Sequence, residues 1–209
     1  MARLKNGLIG GVSGKVGNVI ISSWYGEEYV KSAPDKVKNP RTKEQVKQRS
    51  KFSVTMAFLK TMTPFIRVGY QSARENRKTP TNAASSYIMK NAFINDTGSL
   101  ELDYSKVLVS MGDLNASEIL NSEFKDGELT LYWDSILNGN AKNSDQTMLL
   151  AYNSKIGESI YDTAAAKRSH GSAKLELPEN WNNNDIHIYL AFRNVEGNKV
   201  SDSVYIKST

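Results

Sequence analysis

The alternation of apolar and polar positions changes character along the chain. Residues 18–24, Asn-Val-Ile-Ile-Ser-Ser-Trp, are rich in β-branched and aromatic side chains. Tyr25-Gly26-Glu27 supplies turn chemistry, and residues 28–32 can return as a second strand, so the pattern predicts a β-hairpin. Residues 33–41 hold Pro34 and Pro40 among charges and read as a loop. Thr42-Lys43-Glu44-Gln45 then matches a capping box, in which the Thr42 hydroxyl takes an orphan amide and Gln45 reaches back. Val46, Phe52, Val54, Met56, Phe58, Leu59 and Met62 recur at three- and four-residue spacings, which predicts a helix from about residue 43 to 62. Thr63 and Pro64 suit the cap and first position of a second helix, expected to run to Arg77. Lys78-Thr79-Pro80-Thr81 breaks the pattern, and residues 83–93 predict a short third helix with Ala84, Tyr87, Ile88 and Asn91 on one stripe.

After the turn Asn95-Asp96-Thr97-Gly98 the period shortens. Seven strands are predicted, at residues 106–110, 128–133, 147–152, 158–162, 172–177, 186–193 and 199–206. Asp126-Gly127, Asn138-Gly139-Asn140, Ile156-Gly157, Asn182-Asn183-Asn184 and Glu196-Gly197-Asn198 separate them. Residues 129–133, Leu-Thr-Leu-Tyr-Trp, alternate strictly, which puts Leu131 and Trp133 on one face and marks Trp133 as core. The expected fold is therefore α+β: an N-terminal β-hairpin plus helices, then an immunoglobulin/fibronectin-like β-sandwich. No repeat of 20–50 residues and no low-complexity tract is present.

Charge sharpens this division. Residues 1–100 carry 17 Lys and Arg against 6 Asp and Glu, a net +11, whereas residues 101–209 carry 10 against 16, a net −6. The total of +5 hides a basic module, expected at 1–97, joined to an acidic sandwich at 98–209. Such asymmetry suits a polyanion partner for the basic part or attraction between the two parts. Within the basic part, Lys36, Lys38, Arg41, Lys43, Lys47, Arg49 and Lys51 form the densest run. Lys43, Lys47 and Lys51 are spaced i, i+4, i+8 and share a helix face, a footprint for nucleic-acid phosphates or other anions.

Other chemistry finds little support. With no cysteine among the 209 residues, disulfide scaffolds and thiolate metal sites are excluded. Gly14-Lys15 resembles the end of a phosphate loop, but Ile9 and Val16 stand where glycine and a hydroxyl residue are required. Two histidines do not make an ordinary metal site, and no metal or other cofactor is expected. His187 reads as a solvent-facing or structural strand residue. His170 adjoins Ser169 in sequence, a spacing that does not suit a nucleophile–base pair. No acid–base constellation can be named, and an enzyme is not expected. Arg3 and Lys5 precede an apolar stretch too short and glycine-rich for a signal peptide, and no run approaches the roughly 18 residues of a membrane span.

Gly10-Gly11-Val12-Ser13-Gly14-Lys15-Val16-Gly17-Asn18-Val19, Trp24, Lys38-Asn39-Pro40-Arg41-Thr42, Gln45, Gln48-Arg49 and Lys51-Phe52, with Val200-Ser201-Asp202-Ser203-Val204-Tyr205 near the end, resemble an uncharacterised Bacteroidota family known as a domain of unknown function. The resemblance spans nearly the whole chain and implies no activity. The segment 38–52 is also similar to small proteins of phage structural regions. The expected role is a non-catalytic interaction or structural protein of phage type, cytoplasmic or virion-associated, which contacts a protein partner or its own copies through the N-terminal arm and hairpin. The alternative is a nucleic-acid-binding protein that uses the basic helix at 36–51. No membrane partner is expected.

Overall fold

A computed structural model describes residues 2–4, 13–24, 26–35, 41–74, 78–94, 100–125, 127–181 and 185–207. The chain forms two compact units, Met1–Lys43 and Glu44–Thr209. It is a mixed α+β protein whose sheets are all antiparallel and which is mostly strand.

The first unit is a single sheet. The predicted hairpin is present as β3 (Val19–Trp24) and β4 (Glu27–Ser32), with Val19 opposite Ser32 and Trp24 opposite Glu27. Two short strands extend it, β1 (Ala2–Leu4) beside β4 and β2 (Gly14–Val16) beside β3. The two-residue turn between β2 and β3 needs a left-handed backbone at Gly17, φ +57°, which only glycine adopts without strain. The pairing puts Val16, Val19, Ile21 and Val30 on one face and Lys15, Ile20, Ser22, Tyr29 and Lys31 on the other. Among the described residues of this unit only Ile21 is buried.

The second unit begins with helices. The predicted first helix is α1 (Lys43–Thr61), which starts just after Thr42, where a capping hydroxyl belongs. The next helix, α2 (Thr63–Gly69), is far shorter than expected and gives way to a 3-10 turn at Gln71–Arg74. The reason is close packing. A Cβ on Gly69 would lie 2.5 Å from the Val109 carbonyl, and the next residue, Tyr70, is fixed by its hydroxyl donating to the Leu108 carbonyl at 2.9 Å. The third helix, α3 (Pro80–Asn91), starts earlier than expected because Thr79 caps it, its hydroxyl accepting from the Asn82 amide at 3.2 Å.

A two-stranded pair, β5 (Phe93–Ile94) with β6 (Glu101–Leu102), leads into the main sheets. The strand expected at 106–110 does not form. Asp103 accepts from the Ser105 amide and opens a 3-10 turn at Tyr104–Lys106 instead. One sheet has three strands in the order β11-β8-β7, namely β7 (Ile119–Lys125), β8 (Glu128–Trp133) and β11 (Ser172–Glu176). The other has four, in the order β10-β9-β12-β13: β9 (Gln146–Asn153), β10 (Glu158–Lys167), β12 (Ile186–Arg193) and β13 (Val204–Lys207).

The four-stranded sheet is the middle of three layers. Leu149, Ala151, Ile188, Leu190 and Phe192 on one face pack with Leu129, Leu131, Trp133, Ala173 and Leu175 of the three-stranded sheet. Met148, Leu150, Tyr152, Tyr189 and Ala191 on the other face pack with Phe58, Leu59, Met62, Phe65, Ile66 and Ile88 of the helices. Phe58 meets Tyr152 edge-on at 4.8 Å. The helices after residue 44 and the strands after residue 101 share one cluster of buried residues, and the compact units divide at Lys43/Glu44.

Two connecting segments lie against each other closely enough to admit no side chain. A Cβ on Gly112 would stand 2.2 Å from the Val200 carbonyl oxygen, beside the bond from the Leu114 amide to that same oxygen at 3.0 Å. Gly112→Ala is expected to destabilise the protein by about 1–3 kcal/mol through overpacking. A urea-unfolding midpoint equal to that of the parent would count against this contact.

Candidate functional site

Of the basic run read from the sequence, Lys36 and Lys38 lie outside the described residues. Arg41 is exposed with φ +48°, an unusual left-handed backbone for a residue with a Cβ. Lys43, Lys47 and Arg49 are exposed on the first two turns of α1, where residues 43–50 all face solvent. The third lysine of the stripe differs. Lys51 is half-buried, with its Nζ 5.0 Å from the centre of the Phe93 ring, so a cation–π contact draws its ammonium back onto β5. Two apolar side chains share this part of the helix with the cations, since Val46 is 48% and Phe52 51% exposed.

The histidines occupy unlike settings. His170 is exposed at the end of a 3-10 turn (Arg168–His170). His187 is half-buried rather than solvent-facing. It stacks on Tyr104 with ring centres 3.9 Å apart, and its Nδ1 lies 3.0 Å from the Tyr205 hydroxyl, within hydrogen-bond reach. Burial, helped by the nearby Lys207 charge and opposed by Asp185, lowers its pKa from 6.5 to about 4. The unfolded chain thus binds a proton near pH 6.5 that the folded chain refuses until about pH 4. The resulting stabilisation is complete above pH 6.5 and lost as the pH falls through that window. It amounts to about 2–3 kcal/mol once partial exposure of the ring is allowed for. His187→Phe keeps the stacking and removes the proton, so its stability relative to the parent should improve steadily from pH 7 to pH 4.5. Parallel pH profiles from chemical denaturation would refute this.

A cavity that the sequence did not reveal opens between the 3-10 turn at Gln71–Arg74 and α3. Its volume is about 300 Å³. One wall is a single stripe of α3, Ala83, Ser86, Tyr87, Lys90 and Asn91, spaced i, i+3, i+4, i+7, i+8. Ser72, Ala73 and Lys78 line the opposite side, and Tyr70 and Met111 also reach it. Among the described residues, Lys78 and Lys90 are the charged side chains that line the space.

Among the described residues no three His, Asp or Glu side chains come together as a metal site, and no helix is long and apolar enough to cross a membrane. What the geometry defines is a mixed α+β protein with layered antiparallel sheets, an exposed basic helix end and a pocket beside α3. The chain belongs to the family of unknown function DUF6266, whose model matches residues 11–207. No curated protein and no solved structure matches it.

Proposed function

We propose that this is a non-catalytic interaction or structural protein, an assembly component of phage or prophage type, working through its N-terminal unit. One observation carries the reading: the first unit is a four-stranded sheet in which, among the described residues, Ile21 is the one buried side chain. Val16 is 64% and Val19 41% exposed on the face they share. With Val16 and Val19 open to water, the sheet gains less burial to set against roughly 1–2 kcal/mol of backbone entropy per residue. A second copy of the chain laid on that face would provide the missing burial. The two sheets that share the Trp133 core support an immunoglobulin/fibronectin-like reading of the rest, with helices over one outer face.

Light scattering tests this on the full chain. The parent is expected to show a mass that rises with concentration, and a Val16→Lys/Val19→Lys variant to remain monomeric. A parent that is monomeric up to millimolar concentration would overturn self-assembly. The exposed Lys43 and Lys47 favour a second reading, nucleic-acid binding. It requires a complex with generic DNA or RNA that weakens steeply with salt and is lost in Lys43→Glu/Lys47→Glu.

A further inference from the structure

We infer that the outer edge of β7 docks a second copy of this chain, which adds its own β7 antiparallel and joins two three-stranded sheets into one. In the order β11-β8-β7, β7 has a neighbour on one side only. The pairing fixes which of its main-chain groups point outward. Lys125 faces Glu128 with two residues between them, and such a closing pair exchanges its hydrogen bonds. Alternation then turns Asn121, Glu123 and Lys125 toward β8 and leaves the N–H and C=O of Ser122 and Phe124 on the open side. The Trp133 amide fits this phase, since it donates to the Gly171 carbonyl on the β11 side of β8. The Ser122 amide is already engaged, donating to Asn121 Oδ1 at 2.9 Å. Phe124 has no such bond among the described residues, so its N–H and C=O form a ready template for another strand.

Charge selects the occupant. A two-fold axis through Phe124 sets this residue against its counterpart in an exchanged pair of hydrogen bonds. The same axis sets Glu123 of each copy opposite Lys125 of the other. Both side chains are exposed, on the face away from the one through which Phe124 packs on the sheet core. Neither has an ion-pair partner among the described residues. Glu128, opposite Lys125, pairs with Lys174 at 2.6 Å, and Glu123 meets only Asn121 and the Tyr132 hydroxyl, at 3.3 and 3.4 Å. Opposite charges facing each other across two strands attract, and the symmetry makes the pair twice. A strand with another order of charge would set like against like or leave both groups unmatched, so the edge favours its own sequence. Centring the pair on Ser122 instead would break the Asn121 bond and match no charges. The contact is small. It adds to the association through the first unit and rests on that reading for its strength.

Amide hydrogen exchange and light scattering on the full chain test this together. In dilute protein the Phe124 amide should exchange fast and those of Glu123 and Lys125 slowly, since only the latter bond to β8. As the mass rises with concentration, exchange at Phe124 should slow at least about tenfold. Glu123→Lys or Lys125→Glu alone sets like charges opposite each other and should weaken association about tenfold. The melting temperature of the dilute variants should not change, because both residues are exposed. An equimolar mixture of the two single variants, or Glu123→Lys/Lys125→Glu in one chain, brings opposite charges together again and should restore the parent's association. A rising mass with a Phe124 amide that stays fast would overturn this contact and leave the first-unit reading standing. So would single variants that associate as the parent does. Slowed exchange at Phe124 that persists with a rising mass in Val16→Lys/Val19→Lys would uphold the contact and overturn the first-unit reading. A parent that is monomeric at millimolar concentration, with Phe124 still fast, would overturn both.

Discussion

A chain that starts at residue 98 is expected to fail to fold cooperatively, whereas one that starts at Glu44 should fold. The reason lies in the middle sheet. Its helix-facing side carries Met148, Leu150, Tyr152, Tyr189 and Ala191, each 7% exposed or less, and their cover is Phe58, Leu59, Met62, Phe65, Ile66 and Ile88. Removing the helices returns that side to water. Each large side chain then forfeits about 1.5–3 kcal/mol. Several together match or exceed the roughly 5–15 kcal/mol by which a domain is stable. The Ser159 hydroxyl also loses its acceptor, the Thr61 carbonyl at 2.8 Å, and Tyr161 loses its edge contact with Phe65. Near-ultraviolet dichroism and a thermal melt of both pieces decide the matter. A sharp melt of 98–209 within a few degrees of 44–209 would mean that the sheets alone make the domain.

The second large effect is centred on Arg168. Its side chain is wholly enclosed, at 0% exposure, and Asp145 beside it is at 1%. Nε lies 3.2 Å from Asp145 Oδ2, one terminal nitrogen donates to the Ser117 hydroxyl at 2.7 Å, and the other donates to the Asn115 carbonyl at 2.7 Å. The guanidinium sits 3.7 Å from the centre of the Phe192 ring. Trp133 Nε1 in turn donates to the Arg168 carbonyl at 2.9 Å, so the ion pair is tied to a buried tryptophan of the sheet core. Burial lowers the arginine's pKa, and the Asp145 charge works against that loss. Asp145→Ala leaves an enclosed cation without its counter-charge and should cost about 3–5 kcal/mol. Replacing both members, as Arg168→Met with Asp145→Leu, should be far milder, because no charge is then left buried. Chemical denaturation of both variants is the test. A single variant no less stable than the double would show that the pair is not what holds this corner.

Local pattern revealed the elements that carry it. The strict alternation of Leu129, Leu131 and Trp133 located β8, and the near-continuous apolar run at 186–192 located β12. Elsewhere, distant contacts override local preference. β7 was missed because Leu120 faces water at 66% exposure and breaks the alternation, so pairing with β8 makes it a strand. Val107 and Val109 looked like strand residues and are buried, but as cover for the helix-side core rather than in a sheet. The second helix stops at Gly69 because of what lies opposite it. Periodicity reports that a face is buried and is silent about which layer buries it, so the packing of the helices on the middle sheet has no signature in the local pattern. The basic residues were plain to see, yet the turn of Lys51 onto Phe93 depends on a strand forty residues away. The cavity's lining, drawn from Tyr70 to Met111, has no motif because its useful property is the volume that small side chains leave.

The double burial of the middle sheet has a consequence for register. In a sheet with one dry face, a slip of one residue turns the apolar set toward water and is heavily penalised. In β9 and β12 a slip exchanges one apolar set for another, so hydrophobicity alone hardly opposes it. The alignment must be pinned by polar groups that fit in one way. They stand at the strand ends. The Phe192 amide donates to the Ser201 hydroxyl at 2.9 Å, the Arg168 amide donates to the Asp145 carbonyl at 2.7 Å, and the Ser154 amide donates to the Asp185 carbonyl at 2.9 Å. Buried Asn153, whose side-chain oxygen accepts from the Lys155 and Ile156 amides, closes the far end of β9. The greasiest strands of this protein thus owe their alignment to a handful of amides, hydroxyls and carbonyls at their tips.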